Sequence, residues 1–480
     1  MRINFKQKRD VLMKGIVKGV SFFIIVFSLT IFVSANAGPT FWQGYPSSSV
    51  MLIDEDSPIR VDKENLIFDF TDEGFLDYSI NARVTANYKM SNPTGEISKV
   101  QMAFPFIASI DRLIAKDIVV SFDKKEIPYN IYIGSTIRGY AGPFSESSHT
   151  NYDFVDILNT ITNEAYRAES FKQTDKGKLY TIDVKPGRDQ GINFAIDFDF
   201  DYEKTNILID GFNGYGREDG KTKLTAWCYK AEILEIFVLG GDINFKVSGY
   251  MDGGLEEKTD LFDYEVLTDE VEIGQYLMTY INSDDEKDKN QIRDTQLYNL
   301  YARALDEYWM KHAGLTTKND LLSEQYQQRI LTLVYTVEFL ENSYSDLCIS
   351  YNTSGTMDRR KTPKPLYSFD YILNPAKNWE SFKDLNIEII PPAEAPYIVD
   401  SNIQFTKKDG IYTARLEDLP EDDLTFTLYE KEKVGLSDKI LGSLQRKFGY
   451  FTPIIVGAII IFIIASIILI IFKSKKTEAR

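Results

Sequence analysis

The stretch Asp77-Tyr78-Ser79-Ile80-Asn81-Ala82-Arg83-Val84-Thr85-Ala86-Asn87-Tyr88-Lys89-Met90 decides the fold. Apolar and polar residues alternate along most of it. In a strand, successive side chains point to opposite faces, so this period of two is the mark of a half-buried β-strand. Asn92-Pro93-Thr94-Gly95 follows and supplies turn chemistry. Val100-Gln101-Met102-Ala103-Phe104-Pro105-Phe106 then predicts a second strand. Asp117–Phe122, a Lys124-Lys125 turn and Ile131–Ile133 extend the series. Short strands separated by such turns predict an antiparallel β-sandwich.

Working outward, Gly139–Glu146 is a Gly/Pro/Ser loop, and Tyr152–Tyr166 carries a helical stripe of Phe154, Ile157, Leu158, Ile161 and Ala165. Strands resume at Lys178–Val184, Ile192–Tyr202, Thr222–Tyr229 and Ile243–Ser248. Ile233–Leu239 reads equally as helix or buried strand. From Asp269 to Leu340 the apolar period becomes 3.6, clearest at Leu297, Leu300, Tyr301, Ala304, Leu305 and Tyr308. This predicts a bundle of three or four helices, its first two separated by the acidic loop Ser283–Glu286. After Asn342 the pattern returns to β, with strands at Tyr367–Leu373, Leu385–Ile390, Asn402–Thr406, Gly410–Leu416 and Leu424–Tyr429. The fold class expected is α+β: antiparallel β-sandwich parts, an inserted helical bundle, and one C-terminal transmembrane helix.

Both ends point to a membrane. Arg2, Lys6, Lys8, Arg9, Lys14 and Lys18 precede an apolar run at Val20–Val33, and Ala35-Asn36-Ala37 is a small-x-small cleavage site. Ile454–Phe472 is uncharged and close to the ~20 residues that cross a ~30 Å hydrocarbon core. Lys473, Lys475, Lys476 and Arg480 come directly after it and predict a cytoplasmic tail. Leu419-Pro420-Glu421-Asp422-Asp423 begins like a wall-sorting signal but lacks the Thr-Gly. The division expected is a signal peptide (1–37), an extended arm (38–50), a β-sandwich domain (51–265) with a helical insertion near 152–166, and a helical bundle (266–341). A second β-rich region (342–430), a juxtamembrane stalk (431–450), a membrane helix (451–472) and a tail (473–480) complete it. The expected location is the cell membrane, single-pass, with the N-terminal ectodomain outside.

The chain has 54 basic and 71 acidic residues. The leader holds six basic residues and one acid, and the tail four and one. The part between therefore has 44 against 69, a net charge of −25. Such a surface is soluble and repels nucleic acid. The two cysteines, Cys228 and Cys348, either form one disulfide outside the cell or stay as buried free thiols. No CxxC, HExxH, GxSxG or P-loop spacing occurs. The two histidines, His149 and His312, read as surface residues.

Three site candidates remain. Asp197, Asp199 and Asp201 share one strand face and could bind Ca²⁺ through oxygen ligands, although the run fails as an EF-hand. Trp379 and Phe382, three apart in Asn374–Phe382, either grip a glycan or peptide or plug the end of a sandwich. Carboxylates are plentiful, and a pair of them suffices for glycosidic chemistry.

Tyr88-Lys89-Met90-Ser91-Asn92-Pro93 followed by Met102-Ala103-Phe104-Pro105, with Trp379 and Phe382 before a late strand, resembles uncharacterised exported bacterial proteins. That resemblance implies a bacterial envelope protein with an N-terminal β-sandwich, and it brings no activity or catalytic residue. The function expected is a non-enzymatic cell-surface module that needs no cofactor. Its partners would be the membrane and an envelope polymer, a peptide or another envelope protein. The alternative is a membrane-anchored extracellular hydrolase using carboxylates.

Overall fold

The structure is a computed structural model that describes residues 41–477, except 43, 45–46, 54–56, 72–74, 77, 114–117, 138–153, 188–190, 219, 283–291, 361, 374–378 and 449–450. The signal segment, the Gly139–Glu146 loop, His149, the Ser283–Glu286 loop and the end of the tail lie outside the described residues.

The architecture is mostly β, with few helices. Its centre is a nine-stranded sheet. The order is Thr406–Lys408, Ile411–Leu416, Leu385–Ile390, Arg60–Asp69, Ser79–Asn92, Ser343–Ser354, Val119–Phe122 and Lys125–Glu126, with Phe75–Leu76 added beside Ser79–Asn92. Leu385–Ile390 runs parallel to Arg60–Asp69, and the other pairs are antiparallel. The alternation read from Ser79–Asn92 is realised: Ala82, Val84, Ala86, Tyr88 and Met90 are buried, whereas Arg83, Thr85 and Asn87 are only partly covered.

The buried face packs on a six-stranded sheet that contains Leu366–Ile372 and Leu424–Tyr429. Phe68 meets Phe426 edge-on at 5.2 Å and Tyr371 at 5.9 Å between ring centroids. A four-stranded sheet of Asn130–Thr136, Arg329–Phe339, Ser98–Ala108 and Met51–Leu52 closes the same core. Each large apolar side chain removed from water contributes about 1.5–3 kcal/mol, and dozens are buried here.

Residues 176–272, with the strand Leu315–Thr317, form a separate pair of five-stranded sheets. One holds Phe262–Glu272, Lys176–Pro186, Glu232–Gly240, Thr205–Asp210 and Leu315–Thr317. The other holds Gly214–Glu218, Lys221–Cys228, Ile192–Asp199, Lys246–Tyr250 and Lys258–Thr259. Their own core includes Ile182, Phe194, Ile196, Leu224 and Ile236.

Two helices, Ile273–Asn282 and Asp294–Lys311, lie between this insert and the main body. Leu305 and Trp309 join the main core together with Leu208 and Phe237 of the insert, and Trp309 Nε1 donates to the Ile207 carbonyl at 2.9 Å. Asp306, fully buried on the same helix, accepts from Tyr166 Oη at 3.0 Å and from the Glu169 and Ser170 amides at 2.9 Å each. That carboxylate fastens the irregular segment leading into the insert.

Several expectations are corrected. The sequence leaves open whether the β regions at 51–265 and 342–430 form one sandwich or two; Ser343–Ser354 and Leu385–Ile390 join the sheet of Arg60–Asp69, so the two regions share one sheet. A period of two identifies a strand but not its partner. The helical bundle expected over 266–341 shrinks to the two helices above and the short Lys318–Ser323. Arg329–Phe339 is a strand buried on both faces over much of its length, and a doubly buried run shows no alternation to separate it from a helix. The helix expected over 152–166 covers Phe154–Thr160, where Thr160 Oγ1 turns back onto the Ile157 carbonyl. Ile233–Leu239 is strand, and the expected stalk contains a helix, Leu436–Phe448.

At the C-terminus the backbone from Thr452 to Thr477 is a single helix of 26 residues. Its side chains are described from Thr452 to Ile467, except that of Pro453. Among the described residues no helix is long and apolar enough to cross a membrane.

Candidate functional site

The outer face of the nine-stranded sheet carries a groove of about 680 Å³. Its floor arises from the same alternation that builds the core. Where Glu64, Leu66 and Phe68 point inward, Asn65 and Ile67 point outward. Where Ile387 and Ile389 are buried, Asn386 and Glu388 face the groove. Register then assembles a row across five strands: Arg415, Asn386, Asn65, Asn87 and Cys348. The next row holds Thr413, Glu388, Ile67, Thr85 and Ser350. Gln404 and Thr406, at the end of a loop and the start of the edge strand, form a wall.

The amides are partly tied to one another. Asn386 Nδ2 donates to Asn65 Oδ1 at 3.3 Å. Arg415 is held at the rim by Asp384, 3.1 Å away. Farther along the face, Arg83 donates to Ser350 Oγ at 2.7 Å and to Asn352 Oδ1 at 3.1 Å. Each carboxamide offers an acceptor and two donors without charge. The volume lies within the usual range for ligand clefts, about 300–1,000 Å³. A surface in which uncharged amide and hydroxyl groups outnumber the charged Arg415 and Glu388 matches an extended ligand that itself alternates donors and acceptors. Glu388 is the sole carboxylate among the residues that line it.

Beneath the floor, on the core side of the same strand, Glu64 is fully buried. Tyr371 Oη lies 3.5 Å from its Oε1. Burial pushes the Glu64 carboxyl up to about 8, against the opposing effect of hydrogen bonds from Tyr88 and Tyr371. Tyr88 Oη in turn accepts from the Val50 amide at 3.4 Å. Glu64 is closed off from solvent and from the groove.

The residues singled out from sequence are placed elsewhere. Asp197 pairs with Lys223 at 3.3 Å and Asp201 with Lys204 at 2.7 Å, while Asp199 is exposed at the strand end. Among the described residues no group of three His, Cys, Asp or Glu is arranged to hold a metal ion. Trp379 is buried, and its Nε1 donates to the Val50 carbonyl at 3.4 Å. Phe382 is partly buried against the main core and bridges Val61. Trp379 is thus packed inside the protein and Phe382 is partly covered. Cys228 and Cys348 are free thiols, the first in the core of the insert and the second on the outer face of the central sheet. His312 caps the end of the helix Asp294–Lys311, with its ring stacked on Tyr308.

Sequence reading missed the carboxamide row. Its members were legible one by one, as the outward residues of alternating strands. Their meeting was not, because Asn65 and Asn386 are 321 residues apart in the chain.

No family model matches the chain, and no curated protein matches it in sequence. Among solved structures, the fold is similar to that of a Legionella pneumophila protein whose name proposes nutrient binding. The identity is 10%, with 86% of this chain and 76% of the other covered, at a TM-score of 0.35. A likeness this distant carries no argument about function.

Proposed function

We propose that this chain is a non-enzymatic binding protein of the bacterial cell envelope, and that its ligand lies along the groove floored by Asn386, Asn65 and Asn87. The carboxamide row carries this reading. Its neutral donors and acceptors fit a polyol or amide-bearing envelope polymer, or an extended peptide, better than they fit an ion. The hydrolase alternative needs two carboxyl groups about 5–10 Å apart, and the groove lining offers Glu388 alone. The reading invokes no cofactor. Ca²⁺ at Asp197, Asp199 and Asp201 is a separate proposal, tested by adding the ion.

We further propose that the protein is exported with residues 1–37 as its signal peptide and is anchored by the helix Thr452–Thr477. The uncharged run Ile454–Phe472 and the basic residues after it support that placement.

The test is calorimetric titration of the full chain, held in detergent, with N-acetylated wall glycan fragments and with a neutral extended peptide, each with and without Ca²⁺. Saturable binding that weakens when Asn65 and Asn386 are both replaced by Ala supports the reading. Turnover of either probe that is lost on Glu388→Gln installs the hydrolase instead.

A further inference from the structure

The helix Leu436–Phe448 presents the wrong face to the protein. A helix on a soluble domain buries its apolar stripe and leaves its charges in water. Here Asp438 is 3% exposed, held by Lys431 at 2.7 Å and by the Gly435 amide at 3.2 Å. Gly442, one turn on, is also buried, and Lys439 and Ser443 border a cleft of about 570 Å³ shared with Asp358, Arg360 and Asp400 of the six-stranded sheet and its flanks. Asp438 and Gly442 thus face the body of the protein, with Leu441 and Gln445 partly covered beside them. Leu436 and Ile440, spaced i and i+4, are 77% and 53% exposed, and Phe448 is 42% exposed. Leu444 continues the same stripe by spacing and is partly covered.

The neighbouring helix determines the cover for this stripe. Phe451, 62% exposed, and then the helix Thr452–Thr477 begin within four residues of Phe448. Thr452 Oγ1 donates to the Leu444 carbonyl at 3.2 Å, so the two helices meet directly. The exposed apolar surface is therefore continuous from Leu436 into the apolar helix. Exposed Lys447 falls on this same face by helical spacing, where a long cationic side chain can reach lipid headgroups while its stem stays apolar.

We propose that Leu436–Phe448 lies in the headgroup interface of a phospholipid bilayer, with Leu436, Ile440 and Phe448 in the acyl boundary. The main body then sits on the membrane surface rather than on a flexible stalk. The inference rests on the reading of Thr452–Thr477 as the anchor.

The full chain, with Cys228 and Cys348 replaced by Ala, is reconstituted into phosphatidylcholine vesicles. An environment-sensitive fluorophore is attached in the Ile440→Cys variant, and in the Tyr344→Cys variant as a control, since Tyr344 is 71% exposed on the main body. Lipids brominated at shallow and deep positions are then compared. The expected result is blue-shifted emission at 440 with quenching several-fold stronger than at 344. Shallow bromines should be the most effective, as befits burial of about 5–10 Å.

Flotation with the vesicles, but equal and weak quenching at both sites, overturns the inference alone. Blue-shifted emission at 440 that is unquenched and grows with protein density assigns the stripe to a second copy of the chain and also overturns it. Failure to float removes the anchor reading and this inference with it.

Discussion

Tyr371 reaches across from the six-stranded sheet to place its hydroxyl 3.5 Å from the carboxyl of Glu64, in the middle of the main core. The two residues are 307 positions apart in the chain. With its pKa raised to about 8 by burial, Glu64 is held there as a neutral acid at neutral pH. A raised pKa in the folded state means that stability is greatest below the unfolded value, near 4.5, and falls as pH rises toward 8. Chemical denaturation of the full chain at pH 5 and pH 7.5 should show the protein weaker at the higher pH. The loss due to this residue is at most about 1.4 kcal/mol per pH unit. In Glu64→Gln, which keeps an acceptor for Tyr371, that part of the slope should vanish. An unchanged slope would show that Glu64 titrates normally.

Replacing Asn65 and Asn386 together by Ala should leave the thermal midpoint nearly unchanged, since both face the groove. Ligand affinity should fall about 5- to 150-fold, at about 0.5–1.5 kcal/mol for each of two lost hydrogen bonds. Titration calorimetry beside a melting curve separates the two effects. A collapse of stability with affinity retained in the folded fraction would count against the groove.

Asp306 is the converse case to Glu64. Burial alone would raise its pKa, but hydrogen bonds from Ser170, the Glu169 amide and Tyr166 outweigh burial and hold it below the usual carboxylate range. Its contribution is present above the unfolded value of 3.8 and is lost as pH falls through the folded one. Asp306→Ala leaves two backbone donors and the hydroxyls of Tyr166 and Ser170 to be resatisfied, at a cost on the order of 3 kcal/mol. Limited proteolysis should then cut the 161–170 segment first. Resistance equal to wild type would show that the segment is held by something else.

Burial raises the pKa of both thiols, that of Cys228 to about 11. Both should react slowly with iodoacetamide at pH 8, with Cys348 modified before Cys228, because only Cys348 lies on an outer face. Mass spectrometry of timed samples measures the order. A Cys228–Cys348 peptide pair under non-reducing conditions would contradict the separation of the two residues.

Trp379→Ala should behave as a core truncation, costing about 3–5 kcal/mol of stability. Urea unfolding measures this. A stable variant that loses only ligand binding would make Trp379 a binding residue after all.

Legibility in the sequence differed by element. Ser79–Asn92 could be read because its two faces differ, and Asp294–Lys311 because its buried stripe repeats every three to four residues. Arg329–Phe339 could not, since burial on both sides erases the contrast that periodicity needs. The carboxamide row escaped for another reason. Local sequence records which way a side chain points but not which distant strand lies beside it. Asn386 next to Asn65 is a product of parallel pairing between strands at opposite ends of the body.

That pairing also constrains the order in which the molecule can assemble. Arg60–Asp69 lacks one neighbour until Leu385–Ile390 has been synthesised, and Ser79–Asn92 lacks one until Ser343–Ser354 has appeared. The insert, by contrast, draws nearly all its strands from residues 176–272 and has its own core. As the chain emerges from its N-terminus, the insert can become protease-resistant while the earlier strands are still waiting with open edges, a state prone to wrong pairing. Stalled chains of increasing length, probed by brief proteolysis, should show the insert protected before the body. The body's protection should arrive only once residue 429 is available, since Leu424–Tyr429 completes the sheet that covers its core.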